Sequence, residues 1–264
     1  MCHHIKPDSV DSYLSGICNQ LEHLFPNIRA VRHGHLVART LAGCKRMFNS
    51  PPNRKRPLEI EDLQLLLQVF LPNSHDNLLF RAILLCGFFA LHRLGELTYP
   101  NNPRLHSSRK LIRRSSVLLT SSSCTYILPS HKADRLFQGS TIIFATQNDD
   151  IDPVQPFASY LTSRNQLFPY HPALFIASDG TVPTRSWFIS RLRTYLHDNV
   201  TGHSLRAGGA TFFAAAGWPD NRIQALGCWS SEAFKIYIRK NPVVLQALLH
   251  GRILSSHTPT FARV

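Results

Sequence analysis

Between Leu78 and Leu91 the chain carries its longest apolar run, interrupted only by Arg81. The run is shorter than the roughly 18 to 20 residues that span a bilayer, so it reads as a helix apolar on nearly every side. Such a helix is stable only at the centre of a core, and the rest of the chain has to wrap it. The helical pattern extends to about His92, with Ser74 or Asn73 as its N-cap. It ends in ALHRLGELT, which delivers Arg93 to the edge of buried structure. A charge placed there needs a carboxylate, a phosphate or water. Glu96, three residues on, shares a face with Arg93 if the helical turn continues, and can then brace it.

The flanking sequence supplies the wrapping. Residues 11 to 49 show helical periodicity, with Tyr13, Ile17, Leu21 and Leu24 on one stripe, a break at Pro26 and a second piece from Leu36 to Phe48. The basic residues of this segment suit a phosphate-facing surface or a merely solvated one. Residues 1–52 are therefore read as a short helical N-terminal segment. Residues 53–58 are a basic linker whose Arg54-Lys55-Arg56 run is a candidate DNA-backbone contact. Residues 59–264 form the main domain, opening with the helix EIEDLQLLLQVF.

From 111 to 146 the pattern changes to three β-rich runs, SSVLLT, CTYILP and GSTIIFA, which predict three short antiparallel strands with Lys132 in the turn between the second and third. PVQPFASYLTSRNQL then predicts a helix, HPALFIASDGTVP a loop with a short strand and an Asp-Gly turn, and TRSWFISRLRTYLHDN a helix. In the last of these, Trp187, Phe188, Leu192 and Leu196 face inward, and Arg185, Arg191 and Arg193 remain for phosphate contact or solubility. The fold class is mainly α with a small three-stranded antiparallel sheet, an α+β arrangement.

Charge narrows the partners. Lys and Arg number 29 against 16 Asp and Glu, a formal charge of +13 with a pI near 9.9, which favours nucleic acid or an anionic membrane surface. The N-terminal MCHHIKPDSV lacks the apolar core of a signal peptide, so the protein is expected to stay inside the cell. Six cysteines without a C-x-x-C pair argue for reduced thiols rather than disulfides or a zinc site.

The segment Thr201 to Lys240 gathers the side chains with chemistry. His203 and Arg206, three apart on a predicted helix, share a face with a rise of about 4.5 Å and can address one ligand. The small residues after them, Gly208, Gly209 and Ala210, allow close approach of a neighbouring element. Trp229 and Tyr237 follow. One unbroken helix would hold those two about 12 Å apart, so joint action on one group requires a break between them, for which Ser230 and Ser231 are suitable caps. Read singly, Trp229 is as readily a core residue, and Tyr237 one more position on an apolar face.

The order of these residues resembles the tyrosine recombinase (phage integrase) family over roughly residues 56 to 264. LHRLGEL matches the first-arginine motif, PSHKADR the hairpin lysine, GHSLRAGGA the H-x-x-R box, and LGCW with the later Tyr237 the histidine/tryptophan position and the nucleophile. GHSLR, LGCWSS and YIR look most like the integrase-like recombinases of eukaryotic mobile elements.

The resemblance implies the tyrosine recombinase catalytic-domain fold and double-stranded DNA as partner. It implies a 3′-phosphotyrosine intermediate made by Tyr237, with Arg93 and Arg206 on the phosphate oxygens, His203 relaying the tyrosine proton, Lys132 protonating the departing 5′ oxygen and Trp229 donating or bracing. Glu96 and Asp134 fall where the family carries acids and are expected to brace. No metal or cofactor is required and no membrane is involved. The C-terminal helix after Pro242 is expected either to close its own core or to dock on a neighbour in a homo-tetramer, and the location is nuclear if the host is eukaryotic, otherwise cytoplasmic. The N-terminal segment is shorter than the helical clamp common in the family, as in a truncated or divergent DNA-binding domain. Two alternatives stay open on the residues: a DNA-binding protein of this fold whose catalysis has lapsed, and a type IB topoisomerase-like activity.

Overall fold

The computed structural model describes residues 4–48, 55–132, 134, 136–146, 151–196, 200–229, 231 and 234–235. The chain falls into two compact units, Met1–Arg54 and Lys55–Val264.

In the first unit, α1 (Pro7–Leu21), α2 (Ile28–His33) and α3 (His35–Phe48) pack on one another. Pro7 occupies the first turn of α1, where its missing N–H costs no bond. Pro7, Val10 and Cys18 are the residues α1 buries, whereas Tyr13 and Ile17 remain 54% and 43% exposed, so the inner stripe is rotated from the one the periodicity suggests. Within this unit three short helices offer no second layer to cover the adjacent stripe. Several of its cations already hold acids: Arg29 grips Glu22 with two bonds of 2.6 and 2.7 Å, and Lys45 reaches Asp11 at 2.8 Å.

The second unit is built on α5 (His75–Phe89), capped by Ser74 and buried continuously from Leu79 through Phe89 except at Arg81. The run of large apolar side chains dictates this, because every face of the helix finds a partner. Around it lie α4 (Ile60–Val69), the short α6 (Leu94–Leu97), α7 (Val154–Leu167), α8 (Arg185–Leu196), α9 (Gly202–Ala215) and α10 (Asp220–Leu226). α9 comes close to α5, where a Cβ on Gly209 would lie 2.0 Å from the Phe88 carbonyl oxygen, and close to the chain before α4, where one on Gly208 would lie 2.2 Å from that of Leu58. Only hydrogen fits at either position. Among the described residues no helix is long and apolar enough to cross a membrane.

The helix expected to reach His92 stops at Phe89. Leu91 turns into the left-handed region (φ 52°), and the His92 N–H donates back to the Gly87 carbonyl at 3.1 Å while that of Leu91 donates to Phe88 at 3.3 Å. This is a Schellman ending with leucine where glycine is usual, at a cost of roughly 1 kcal/mol that complete burial of the Leu91 side chain helps offset.

The sheet has the expected three strands in sequence order, β1 (Leu118–Leu119), β2 (Ser123–Leu128) and β3 (Ser140–Ala145), all antiparallel, with Tyr126 opposite Ile142 and Cys124 opposite Phe144. Cys124, Tyr126, Leu128, Ile142 and Phe144 face the core, and Ile127 and Ile143 face out. The strand expected in HPALFIASDGTVP is reduced to one bridge between Ala173 and Arg113. Side chains take the backbone groups a second strand would have used. The Tyr160 hydroxyl accepts from the Ile176 N–H and donates to Leu174, and the buried Arg164 guanidinium donates to the carbonyls of Phe168, His171 and Ala173.

Candidate active site

Arg93 is the N-cap of α6, so the expected brace forms at the start of a new helical turn rather than along α5. Its N–H donates to Glu96 Oε2 at 2.9 Å and its Nη1 to Oε1 at 2.9 Å, which fixes main chain and guanidinium with one carboxylate. Behind Glu96 stands His92, 1% exposed, with Nδ1 3.0 Å from Glu96 Oε2 and Nε2 2.6 Å from the Tyr126 hydroxyl. Burial pushes the Glu96 carboxyl up, but bonds from His92 and Arg93 outweigh it and bring the pKa down to about 2. An ionised carboxylate only accepts, so His92 Nδ1 is the donor, and the Tyr126 phenol, kept protonated by burial, completes the chain at Nε2. Sequence reasoning passed over His92 and Tyr126. The available signal was a polar residue inside an apolar run with an acid four residues on.

Because Glu96 titrates lower folded than unfolded, its contribution is present above its ordinary value of 4.5 and is lost as pH falls through about 2. Glu96→Gln should therefore be destabilised at pH 7 by about 3 kcal/mol, with the gap to wild type closing as pH falls from 4.5 towards 2, in urea melts taken across that range.

Arg206 is 2% exposed on the inner face of α9. Its Nη1 donates to the Leu91 carbonyl and its Nη2 to the Gly227 carbonyl, both at 2.5 Å, so one guanidinium ties the end of α5 to the end of α10. Both are helix C-termini, where carbonyls lack intrahelical partners and the dipole is negative. The α10 end repeats the α5 device: Cys228 is left-handed (φ 49°) and the Trp229 N–H donates back to Gln224 at 3.1 Å. That turn swings the Trp229 ring over Arg206, 3.8 Å from guanidinium carbon to ring centroid. Gly227 makes room, since a Cβ there would lie 1.8 Å from the indole. Trp229 thus lies past the end of α10, and Phe234 is buried 5.6 Å from its ring.

His203 is in the first turn of α9, which is capped by Thr201 and Ser204. The residue is exposed overall, yet its ring is shielded enough for burial to lower its pKa, followed by the cations Arg185, Arg93, Arg206 and Lys132 in that order. Four elements therefore bring charge to bear on His203: α6 with Arg93, the β2–β3 turn with Lys132, the start of α8 with Arg185, and α9 itself with Arg206, whose guanidinium the end of α10 closes behind. Lys132 is exposed in that turn. Asp134 holds the turn rather than a cation: its carboxylate accepts from the N–H groups of Gly139, Gln138 and Leu136 at 2.9, 3.1 and 3.2 Å, and the Gly139 bond above all lowers its pKa.

No protein-family model and no curated protein matches the sequence. Solved structures do. XerA recombinase is similar at 17% identity and a TM-score of 0.55, over 94% of this chain and 84% of that one. XerH site-specific recombinase, in a post-cleavage complex with palindromic difH substrate, is similar at 14% identity and a TM-score of 0.53, over 93% of this chain and 72% of that one. The fold is that of a tyrosine recombinase catalytic domain.

On this recombinase fold the remaining sequence candidates divide. Arg185 joins the cation cluster. Arg191 does not: it reaches Asp76 at 3.5 Å and lies 3.9 Å over Trp187, at the first turn of α5, about 20 Å along that helix from Arg93. Arg56 grips Asp62 with bonds of 2.5 and 2.8 Å and so secures the capping box of α4, while Lys55 is exposed beside it. Arg54 and Tyr237 lie outside the described residues, as does the segment after Pro242.

Proposed function

We propose that this chain is a site-specific DNA recombinase that breaks and rejoins double-stranded DNA through a 3′-phosphotyrosine intermediate. What carries the reading is the gathering of Arg93, Arg206, Lys132 and Arg185 around His203 on a fold shared with XerA and XerH. A scissile phosphate in that cluster meets two guanidiniums, each held by protein on its far side, and these neutralise the oxygens as charge builds in the transition state. The Tyr237 oxygen attacks phosphorus, the bond to the 5′ oxygen breaks, and the 3′ phosphate becomes esterified to the tyrosine. The tyrosine proton passes to His203, which burial first and then the surrounding cations favour in its neutral, accepting form. Lys132 gives a proton to the departing 5′ oxygen. A 5′-hydroxyl of a second duplex then attacks the phosphotyrosine, the proton flow reverses, and the enzyme is regenerated. In this scheme Trp229 serves as the brace of Arg206, through the stacked ring.

The finer reading follows from the motifs: a recombinase of a eukaryotic mobile element, acting in the nucleus, with four copies assembled on DNA through the C-terminal helix. The test is incubation with nicked suicide duplexes carrying the element's terminal sequence, followed by denaturing gels. A covalent protein–DNA adduct is expected; duplex binding with no adduct on any such substrate overturns the reading in favour of a DNA-binding protein with lapsed catalysis. Relaxation of supercoiled DNA without synapsis would instead mark a topoisomerase-like activity. For the general acid, Lys132→Ala should slow cleavage of the native ester on the order of 10²- to 10⁴-fold and recover on a 5′-phosphorothiolate, whose sulfur departs without a proton. Equal impairment on both substrates removes Lys132 from that role.

A further inference from the structure

An exposed basic cleft lies on the outer side of the hairpin. Between Glu96 and Asp134 the sequence has no acidic residue, yet it carries Arg104, Arg109, Lys110, Arg113, Arg114 and Lys132. Three single 3₁₀ turns, Pro103–Leu105, Ser108–Lys110 and Arg114–Ser116, shape the segment and fix where these charges go. Arg114 turns inward, its Nε donating to Asn165 Oδ1 at 2.9 Å. Arg104, Arg109, Lys110 and Arg113 are exposed. Among the described residues neither Arg109 nor Arg113 meets a carboxylate, unlike Arg56 and Arg191, whose charges Asp62 and Asp76 already answer.

Arg109 and Arg113 flank a cleft of about 470 Å³ whose floor is formed by Ile127, Pro129, Leu136 and Phe137. The floor is apolar but not covered: Ile127 is 52% exposed, Leu136 79% and Phe137 47%. Phe137 is held in the left-handed region (φ 57°), a strained setting for an aromatic residue, by the same loop that Asp134 pins through three backbone bonds. The loop is therefore built to present this side chain rather than to bury it.

We infer that this cleft binds a sugar–phosphate unit of DNA next to the one cleaved. Two guanidiniums suit phosphate, to which they bond in bidentate fashion, and an apolar floor suits the deoxyribose beside it. Arg104 and Lys110 extend the charge beyond the cleft, as a linear polyanion requires and a single carboxylate group on a peptide does not. Lys132 belongs to the same hairpin turn, between Pro129 and Leu136 that both line the cleft, so a strand leaving the cluster at Lys132 passes over it. The inference rests on the recombinase reading for the strand's position at Lys132.

The test is the salt dependence of duplex binding by the full chain. Each phosphate contact contributes about 0.9 to the slope of log K against log salt, so Arg109→Gln with Arg113→Gln should lower the slope by about 2. Arg109→Lys with Arg113→Lys keeps the charges and should keep the slope. The Gln pair should melt with the wild type, since both side chains are exposed; if it does not fold, a Gln variant of either residue alone, with a loss of about 1 in slope, decides the matter. Phosphate-ethylation interference should then disappear next to the scissile position. A wild type that binds duplex with the same slope as a folded Gln variant overturns the cleft and leaves the recombinase reading standing, the result expected if the cleft instead takes an acidic peptide. A wild type without salt-dependent duplex binding overturns both.

Discussion

Tyr237→Phe should form no covalent adduct while binding the same duplex within about two-fold of wild type. The substitution removes one oxygen and nothing else, so the ring keeps whatever contacts it makes and the charge of the protein is unchanged. Loss of an obligatory nucleophile typically costs on the order of 10⁴-fold or more, because the remaining groups stabilise a transition state that can no longer be reached by the same bond formation. The chain just before it is well anchored. Phe234 is fully buried against Trp229, and Lys235 reaches Asp220 at 3.5 Å. An adduct that persists in Tyr237→Phe would move the nucleophile to another side chain, and the arrangement of Arg93, Lys132 and His203 would then have to serve that one. Adduct yield on a suicide duplex, set beside the binding isotherm of the same preparation, reads both halves of the expectation.

Why some of this was legible and some was not can be traced element by element. The central position of α5 follows from an apolar run that leaves a helix no polar face, and the hairpin around Lys132 from β-branched runs separated by polar turns; local sequence decides both. The closeness of α9 to α5 was legible as Gly208-Gly209, because absent side chains announce close approach. The end of α5 was not. Nothing between Phe89 and Arg93 is glycine or proline, and the helix stops because tertiary bonds favour the turn: His92 is drawn to Tyr126 and Glu96, and the Leu91 carbonyl to Arg206. Arg191 and Arg56 look in sequence like other cations near a basic surface. Arg191's commitment to Asp76, more than a hundred residues away, depends on how elements meet, which no local pattern encodes, whereas Arg56 turns to Asp62, six residues on, in the first turn of α4. The short strand expected near Phe175 was lost to side chains, Tyr160 and Arg164, that bond the backbone from outside the segment.

One device recurs through the second unit. Arg81 donates to the carbonyls of Leu67 and Phe70 at the end of α4, Arg164 to that of Phe168 at the end of α7, and Arg206 to those at the ends of α5 and α10. In each case the guanidinium answers carbonyls that the helix itself cannot pair, and its charge meets the negative end of a dipole. Burial lowers the pKa of Arg81 and Arg164 first of all, yet a guanidinium stays charged at any ordinary pH, so these clamps do not open by titration. Only Arg206 combines the clamp with a place in the cation cluster. The geometry of the site and the stability of the unit therefore pass through the same side chain.

Arg206→Ala is accordingly expected to fail in two measurements at once. In the folded protein it leaves the Leu91 and Gly227 carbonyls without a buried donor, opens a cavity beneath the Trp229 ring and removes the cation that ring covers. An unanswered buried carbonyl costs about 1 to 3 kcal/mol, and with the lost side-chain contacts the total should reach about 3 to 5 kcal/mol in urea denaturation. Cleavage should fall on the order of 10²- to 10³-fold more than the unfolded fraction explains, since under the proposed mechanism a donor to the transition state has also gone. Arg206→Lys separates the two effects. An ammonium keeps the charge but cannot span both carbonyls or lie flat on an indole, so it should recover part of the stability while single-turnover cleavage stays low. If Arg206→Ala instead melts with the wild type, the guanidinium is not the tie between α5 and α10; if Arg206→Lys cleaves at the wild-type rate, the charge alone suffices and the fork geometry has no part in the chemistry.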